Sequence, residues 1–96
     1  MFFKSEEART LNLAEGVEIR VVGYGGSLML TEVAFRKDAT AAAHSHPHEQ
    51  LTYIIKGSFE FTVGDEKRVV KAGDSIYIPG NTKHSALALE DSMLVD

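Results

Sequence analysis

His44-Ser45-His46-Pro47-His48-Glu49-Gln50, together with the later His84, holds all four histidines of the chain. In an extended segment successive side chains point to opposite faces, so His44 and His46 project to the same side and can grip one ion. Gln50 shares their parity. His84 lies beyond a long intervening hairpin, and a closed β structure can bring it round as a fourth ligand. Three imidazoles and one amide oxygen make a neutral site for a divalent transition metal, fitting Fe, Ni, Zn or Mn alike. Pro47 interrupts the strand before His48, for which surface exposure is expected, and Glu49 points the other way as a solvated charge.

Outward from this stretch, the chain reads as short strands punctuated by glycine. Leu51 to Gly57 is β-branched and aromatic, apolar on both parities, and is expected to lie between two layers. Ser58 to Val63 alternates cleanly into a turn at Gly64-Asp65-Glu66 and a return strand, Lys67 to Lys71. Ser75 to Ile78 follows, and Pro79-Gly80-Asn81 is a tight reversal that delivers His84. Two last apolar segments, Ser85 to Leu89 and Met93 to Asp96, surround the acidic turn Glu90-Asp91.

Upstream, Val17, Ile19 and Val21 alternate with Glu18 and Arg20 as a half-buried strand. Gly23-Tyr24-Gly25-Gly26 lacks the following helix and Lys-Ser/Thr ending of a phosphate loop and reads as a turn. Leu28 to Phe35 is a second strand apolar on both faces. The small residues Ala39 to Ala43 either leave room beside a metal or substrate or form a tight connection. Residues 1–16 are polar and mixed, and a short N-terminal arm is expected there. Eight or so strands with no amphipathic helical window give an all-β sandwich or barrel. Two strands apolar on both faces in so small a chain predict a homodimer.

Ninety-six residues make one domain, 1–96, with one modest core. Without cysteine there is no disulfide framework and no thiol nucleophile, which suits a reducing cytoplasm. The net charge of -4 and ten scattered Lys and Arg argue against a nucleic-acid partner. Acidic Glu6 and Glu7 fall where a secretory signal needs an apolar run, and no segment approaches the roughly 20 apolar residues of a membrane-spanning helix. A soluble, cytoplasmic protein is expected.

The spacing His44-x-His46-x3-Gln50-x6-Gly57, then Gly73-x5-Pro79-x4-His84, resembles the two motifs of the cupin superfamily of jelly-roll barrels, over about residues 28–96. Asp38 stands where the first motif has glycine, Asn81 at the glycine after the proline, and Ala88 at the final asparagine. The resemblance implies that His44, His46, Gln50 and His84 hold a metal inside the barrel, with glutamate the commoner third ligand; the alternative for Gln50 is to donate or accept hydrogen bonds instead of ligating. Gln50 removes a negative charge and leaves the ion more electrophilic towards an anionic substrate.

His44 to Tyr53 and Lys67 to Pro79 look more narrowly like the KdgF family of pectin degradation. That likeness implies metal-dependent conversion of cyclic 4,5-unsaturated uronates, pectin or alginate breakdown products, to the linear 5-keto-4-deoxyuronate. Asp96 falls where the family has a strand-end Asp proposed to move the proton. The family's following Phe and Arg have no counterpart here. Arg20 or Arg36 are the candidate cations for the substrate carboxylate, surface charge being the simpler reading for each, and Asp96 as terminal residue is expected to fray. Other cupins imply two competing activities: an iron-dependent dioxygenase, which must consume oxygen, and a non-catalytic barrel that binds a sugar or small organic acid without turnover.

Overall fold

A computed structural model describes all residues, Met1–Asp96. After a 3-10 turn at Ser5–Glu7, the chain forms ten strands: β1 (Thr10–Ala14), β2 (Val17–Gly25), β3 (Leu28–Phe35), β4 (Thr40–His44), β5 (Gln50–Lys56), β6 (Ser58–Val63), β7 (Glu66–Lys71), β8 (Ser75–Ile78), β9 (His84–Ala88) and β10 (Ser92–Val95). They build a six-stranded sheet, ordered β1-β2-β3-β10-β5-β8, and a four-stranded sheet, β4-β9-β6-β7. Every pairing is antiparallel. The fold is all-β, and its two facing sheets form the jelly roll expected from the motifs.

The period-two patterning does its work between the sheets. Val33 and Phe35 of β3, Ile54 of β5 and Leu94 of β10 point inward from one sheet; Phe59, Phe61, Ala86 and Ala88 point inward from the other. Phe35 and Phe59 meet edge to face, with ring centroids 5.0 Å apart, an arrangement that suits the aromatic quadrupoles.

Several segments differ from the sequence reading. The run Gly23-Tyr24-Gly25 belongs to β2, and only Gly26-Ser27 turns. A register shift between Val21 and Gly23 lets β2 carry these glycines while still pairing with Leu28 to Leu30, and Gly26 supplies the positive φ of 58° that the turn needs. The N-terminal arm contains β1, whose five residues are all exposed; backbone pairing with β2 holds it where no apolar period could announce it. The alanine-rich segment before His44 is a strand rather than a connection, paired with β9.

The second apolar face of β3 and β5 stays open in the single chain. Leu30, Leu51, Tyr53 and Ile55 are exposed on the outer side of the six-stranded sheet, and Tyr77 of β8 joins them. No helix is long and apolar enough to cross a membrane.

Candidate metal centre

β4 ends at His44, which pairs directly with His84, the first residue of β9. The strand-face geometry inferred for His44 and His46 therefore covers only the first of them. His46 lies past the strand, in a loop pinned from the opposite side by the Pro79-Gly80-Asn81 reversal. The Asn81 N–H donates to the His46 carbonyl at 2.6 Å, and a Cβ on Gly80 would stand 2.3 Å from the Pro47 carbonyl oxygen. Asp38 and Asn81, both replacing motif glycines, adopt positive φ of 72° and 62°. Asp and Asn tolerate this left-handed conformation better than other side chains, so both turns survive.

The three rings converge. The centroids of His44 and His84 are 4.3 Å apart, those of His46 and His84 4.9 Å, and the nitrogen ligands of all three lie within 4.8 Å of one another. Their protonation follows from their backbone partners. Nδ1 of His44 meets the Ala42 carbonyl at 2.9 Å, Nδ1 of His46 the His48 carbonyl at 2.8 Å, and Nδ1 of His84 the Thr82 carbonyl at 2.8 Å. A carbonyl oxygen only accepts, so each Nδ1 carries the hydrogen and each neutral ring is left with a lone pair on Nε2. Those lone pairs are the positions that could take an ion, and the carbonyl contacts at Nδ1 are of the kind that ligating histidines usually make. His84 is 4% exposed, and its Nε2 is buried without any hydrogen-bond partner. An orphaned buried lone pair calls for an ion or a proton. Burial holds the His84 pKa below its ordinary value, assisted by the nearby His44 and His46 and opposed by the Thr82 carbonyl and Asp96, so a proton is the poorer answer.

Gln50 supplies the fourth group. Its Oε1 lies 3.0 Å from His46 Nε2, so two lone pairs face each other unless a cation or a second proton lies on them. The donor set thus fits a divalent transition metal, with no carboxylate among the four. Its chemistry does not choose among Fe, Ni, Zn and Mn.

Behind Gln50, its Nε2 donates to Thr52 Oγ1 at 3.0 Å, and Thr52 donates to Asp96 Oδ1 at 2.6 Å. The β5–β10 register, Leu94 against Ile54 and Val95 against Tyr53, sets Asp96 across from Thr52. Asp96 is not frayed: its N–H donates to the Thr31 carbonyl at 2.8 Å and its carbonyl accepts from Thr31 at 3.0 Å, continuing the β3–β10 ladder. Burial raises the pKa of its carboxyl, against hydrogen bonds from Thr52 and Gln50 and the field of His84 and His46.

His48 is exposed and stacks flat on His46 at 3.8 Å. Glu49 is exposed and accepts a hydrogen bond from the Tyr77 hydroxyl. Neither candidate cation joins the cluster through a contact. Arg20 pairs with Glu32 at 3.1 Å and reaches Ser5, while Arg36 lines an open groove of about 750 Å³ with Lys56 and Asp91. Thr52, absent from the sequence-derived set, was foreshadowed only by its parity with Gln50 two residues earlier.

Comparison with known proteins agrees with this geometry. The Cupin_2 cupin-domain model matches residues 31–95. The chain is 33% identical to the pectin degradation protein KdgF of Dickeya dadantii over 97 aligned positions, covering 99% of this chain and 88% of that protein. KdgF from a Halomonas species superposes with a TM-score of 0.92 at 33% identity, over 100% of this chain and 89% of its own. An RmlC-like cupin from Shewanella frigidimarina also reaches a TM-score of 0.92 at 28% identity, covering 98% and 85% of the two chains. With its jelly roll, histidine cluster and near-full-length identity, the chain belongs to the cupin superfamily and, within it, to the KdgF family.

Proposed function

We propose that this chain is a metal-dependent enzyme that converts a cyclic 4,5-unsaturated uronate, a product of pectin or alginate cleavage, to the linear 5-keto-4-deoxyuronate. The observation that carries the reading is the convergence of three Nε2 lone pairs and the Gln50 oxygen beside the half-buried carboxyl of Asp96. Likeness to KdgF supports the substrate class.

The conversion is an isomerisation. The C1 hydroxyl gives up its proton as C1=O forms, the bond from C1 to the ring oxygen breaks, that oxygen becomes the C5 carbonyl, and the C4=C5 electron pair takes a proton at C4. No oxidant is required. His44, His46, Gln50 and His84 are the residues that would hold the ion. When bound, it supplies a Lewis acid whose double charge the neutral ligands leave undiminished, which draws in an anionic sugar acid and polarises its oxygens. Asp96 is the group that moves the proton: its raised pKa brings it closer to the working pH, where a carboxyl can both give and take. Thr31 and Thr52 hold it in position.

The test is to incubate metal-loaded and chelator-stripped protein with freshly generated 4,5-unsaturated galacturonate and follow loss of the conjugated-alkene absorbance against the spontaneous rate. Acceleration only with metal is expected. No acceleration with metal demonstrably bound would refute the activity.

The enzyme is read as a cytoplasmic homodimer, closed through the outer face of the six-stranded sheet. Leu51 and Tyr77 there are 66% and 55% exposed and lie opposite each other in the β5–β8 register, beside Tyr53 and Ile55, an apolar area of a kind that usually marks an interface. Sedimentation of the wild type as a dimer and of Ile55→Glu as a monomer is expected; a monomeric wild type would overturn it.

A further inference from the structure

The Thr52 hydroxyl is fully buried and has two partners, Gln50 Nε2 at 3.0 Å and Asp96 Oδ1 at 2.6 Å. A hydroxyl has one proton to give and lone pairs with which to receive. The carboxylate takes the proton, so the amide has to donate, and an amide donates only through nitrogen. Its oxygen is thereby turned the other way, to 3.0 Å from His46 Nε2. The inverted amide would set two acceptors against each other at Thr52 and turn towards the histidines an NH2 group without a lone pair for an ion. We infer that Thr52 is the positioning residue that selects the ligating end of Gln50, with Asp96 as the acceptor that commits the Thr52 proton.

This rests on the metal reading of the site. It also says why such a device is needed here: a carboxylate ligand has two equivalent oxygens and ligates either way up, whereas an amide has one correct end. On this reading a glutamine at the third ligand position requires acceptors behind it: Thr52, its proton committed to Asp96, offers Gln50 only an acceptor, and the Asp96 carboxylate, which also accepts from the Gln50 amide, favours the same end.

The test uses the full chain with Thr52→Val, which keeps the shape and removes the hydroxyl, Thr52→Ala, which removes it without a second methyl near Asp96, and Thr52→Ser, which retains it. Zn2+ affinity is measured by competition with a chromophoric chelator. The Gln50 side-chain amide is followed by nitrogen–proton NMR in metal-free protein. Loss of about 10- to 100-fold in Zn2+ affinity is expected for the Val and Ala variants, the range typical of outer contacts to metal ligands. Their Gln50 amide resonances should shift, and Ser should restore both readouts. A folded Val or Ala variant that binds Zn2+ like the wild type overturns the role of Thr52. A wild type that takes up no Zn2+ overturns the metal reading itself, a separate result.

Discussion

Gly80→Ala perturbs the metal site without touching a ligand. The added Cβ would stand 2.3 Å from the Pro47 carbonyl oxygen, about 1.1 Å short of the 3.4 Å at which ordinary contact begins. The obstacle is backbone, so rotamer change gives no relief, and the adjacent Asn81 N–H to His46 carbonyl hydrogen bond ties the same loop to the same reversal. The loop carrying His46 must therefore retreat by about 1 Å, several times the roughly 0.2 Å latitude of a metal–ligand bond. Overpacking of this kind costs about 1–3 kcal/mol. Metal binding has to pull the loop back against that strain, so the cost appears in affinity, as a loss of about 5- to 150-fold at 1.4 kcal/mol per decade. Zn2+ competition titration and urea unfolding of the metal-free protein measure the two quantities. Gly73→Ala is the control: its φ of 95° makes alanine strained, but a Cβ there meets nothing within 4 Å. It should lose about 1–2 kcal/mol of stability and keep its Zn2+ affinity. A Gly80→Ala protein with unchanged stability and unchanged Zn2+ affinity would show that the Pro47 carbonyl does not lie against Gly80.

His46→Ala should abolish stoichiometric metal uptake, whereas His48→Ala, which removes only an exposed stacked ring, should retain it; metal analysis after gel filtration distinguishes the two. Asp96→Asn, assayed at saturating metal, should slow uronate ring opening by about 10²- to 10⁴-fold, the usual range for a lost general acid–base group. Acid should destabilise the metal-free protein through His84. Its folded pKa lies below 6.5, so the unfolded chain takes the proton first, and the contribution is lost as pH falls from about 6.5 through the folded value. The raised Asp96 pKa acts in the opposite direction, its share of stability being lost as pH rises from 3.8 through its folded value. Urea midpoints across the acid range, compared with His84→Gln, should show a shallower decline in the variant; identical slopes would contradict the burial of His84.

The amino-acid order alone specified the alternation that makes an all-β chain, the turns at Gly64 and Pro79, and the histidine spacing that announces a metal site. These features are local: inward and outward side chains alternate every residue, and tight reversals need particular residue types, so a few neighbouring letters carry them. β1 was not legible in this way, because its five exposed residues are held by backbone bonds that any sequence can make. Nor was the strand character of the alanine run before His44, whose side chains have no period to display. Tertiary structure decided the rest of the site. Antiparallel pairing of β10 with β3 and β5 anchors Asp96 at Thr31 and brings it to Thr52, residues 44 apart from each other in the chain. Hydrogen bonds to carbonyls choose which nitrogen of each histidine is free, and the one proton of Thr52 chooses which end of Gln50 faces them. Each of those choices is made by an atom the side chain meets only after folding, so residue identity could supply the ligands but not their orientation.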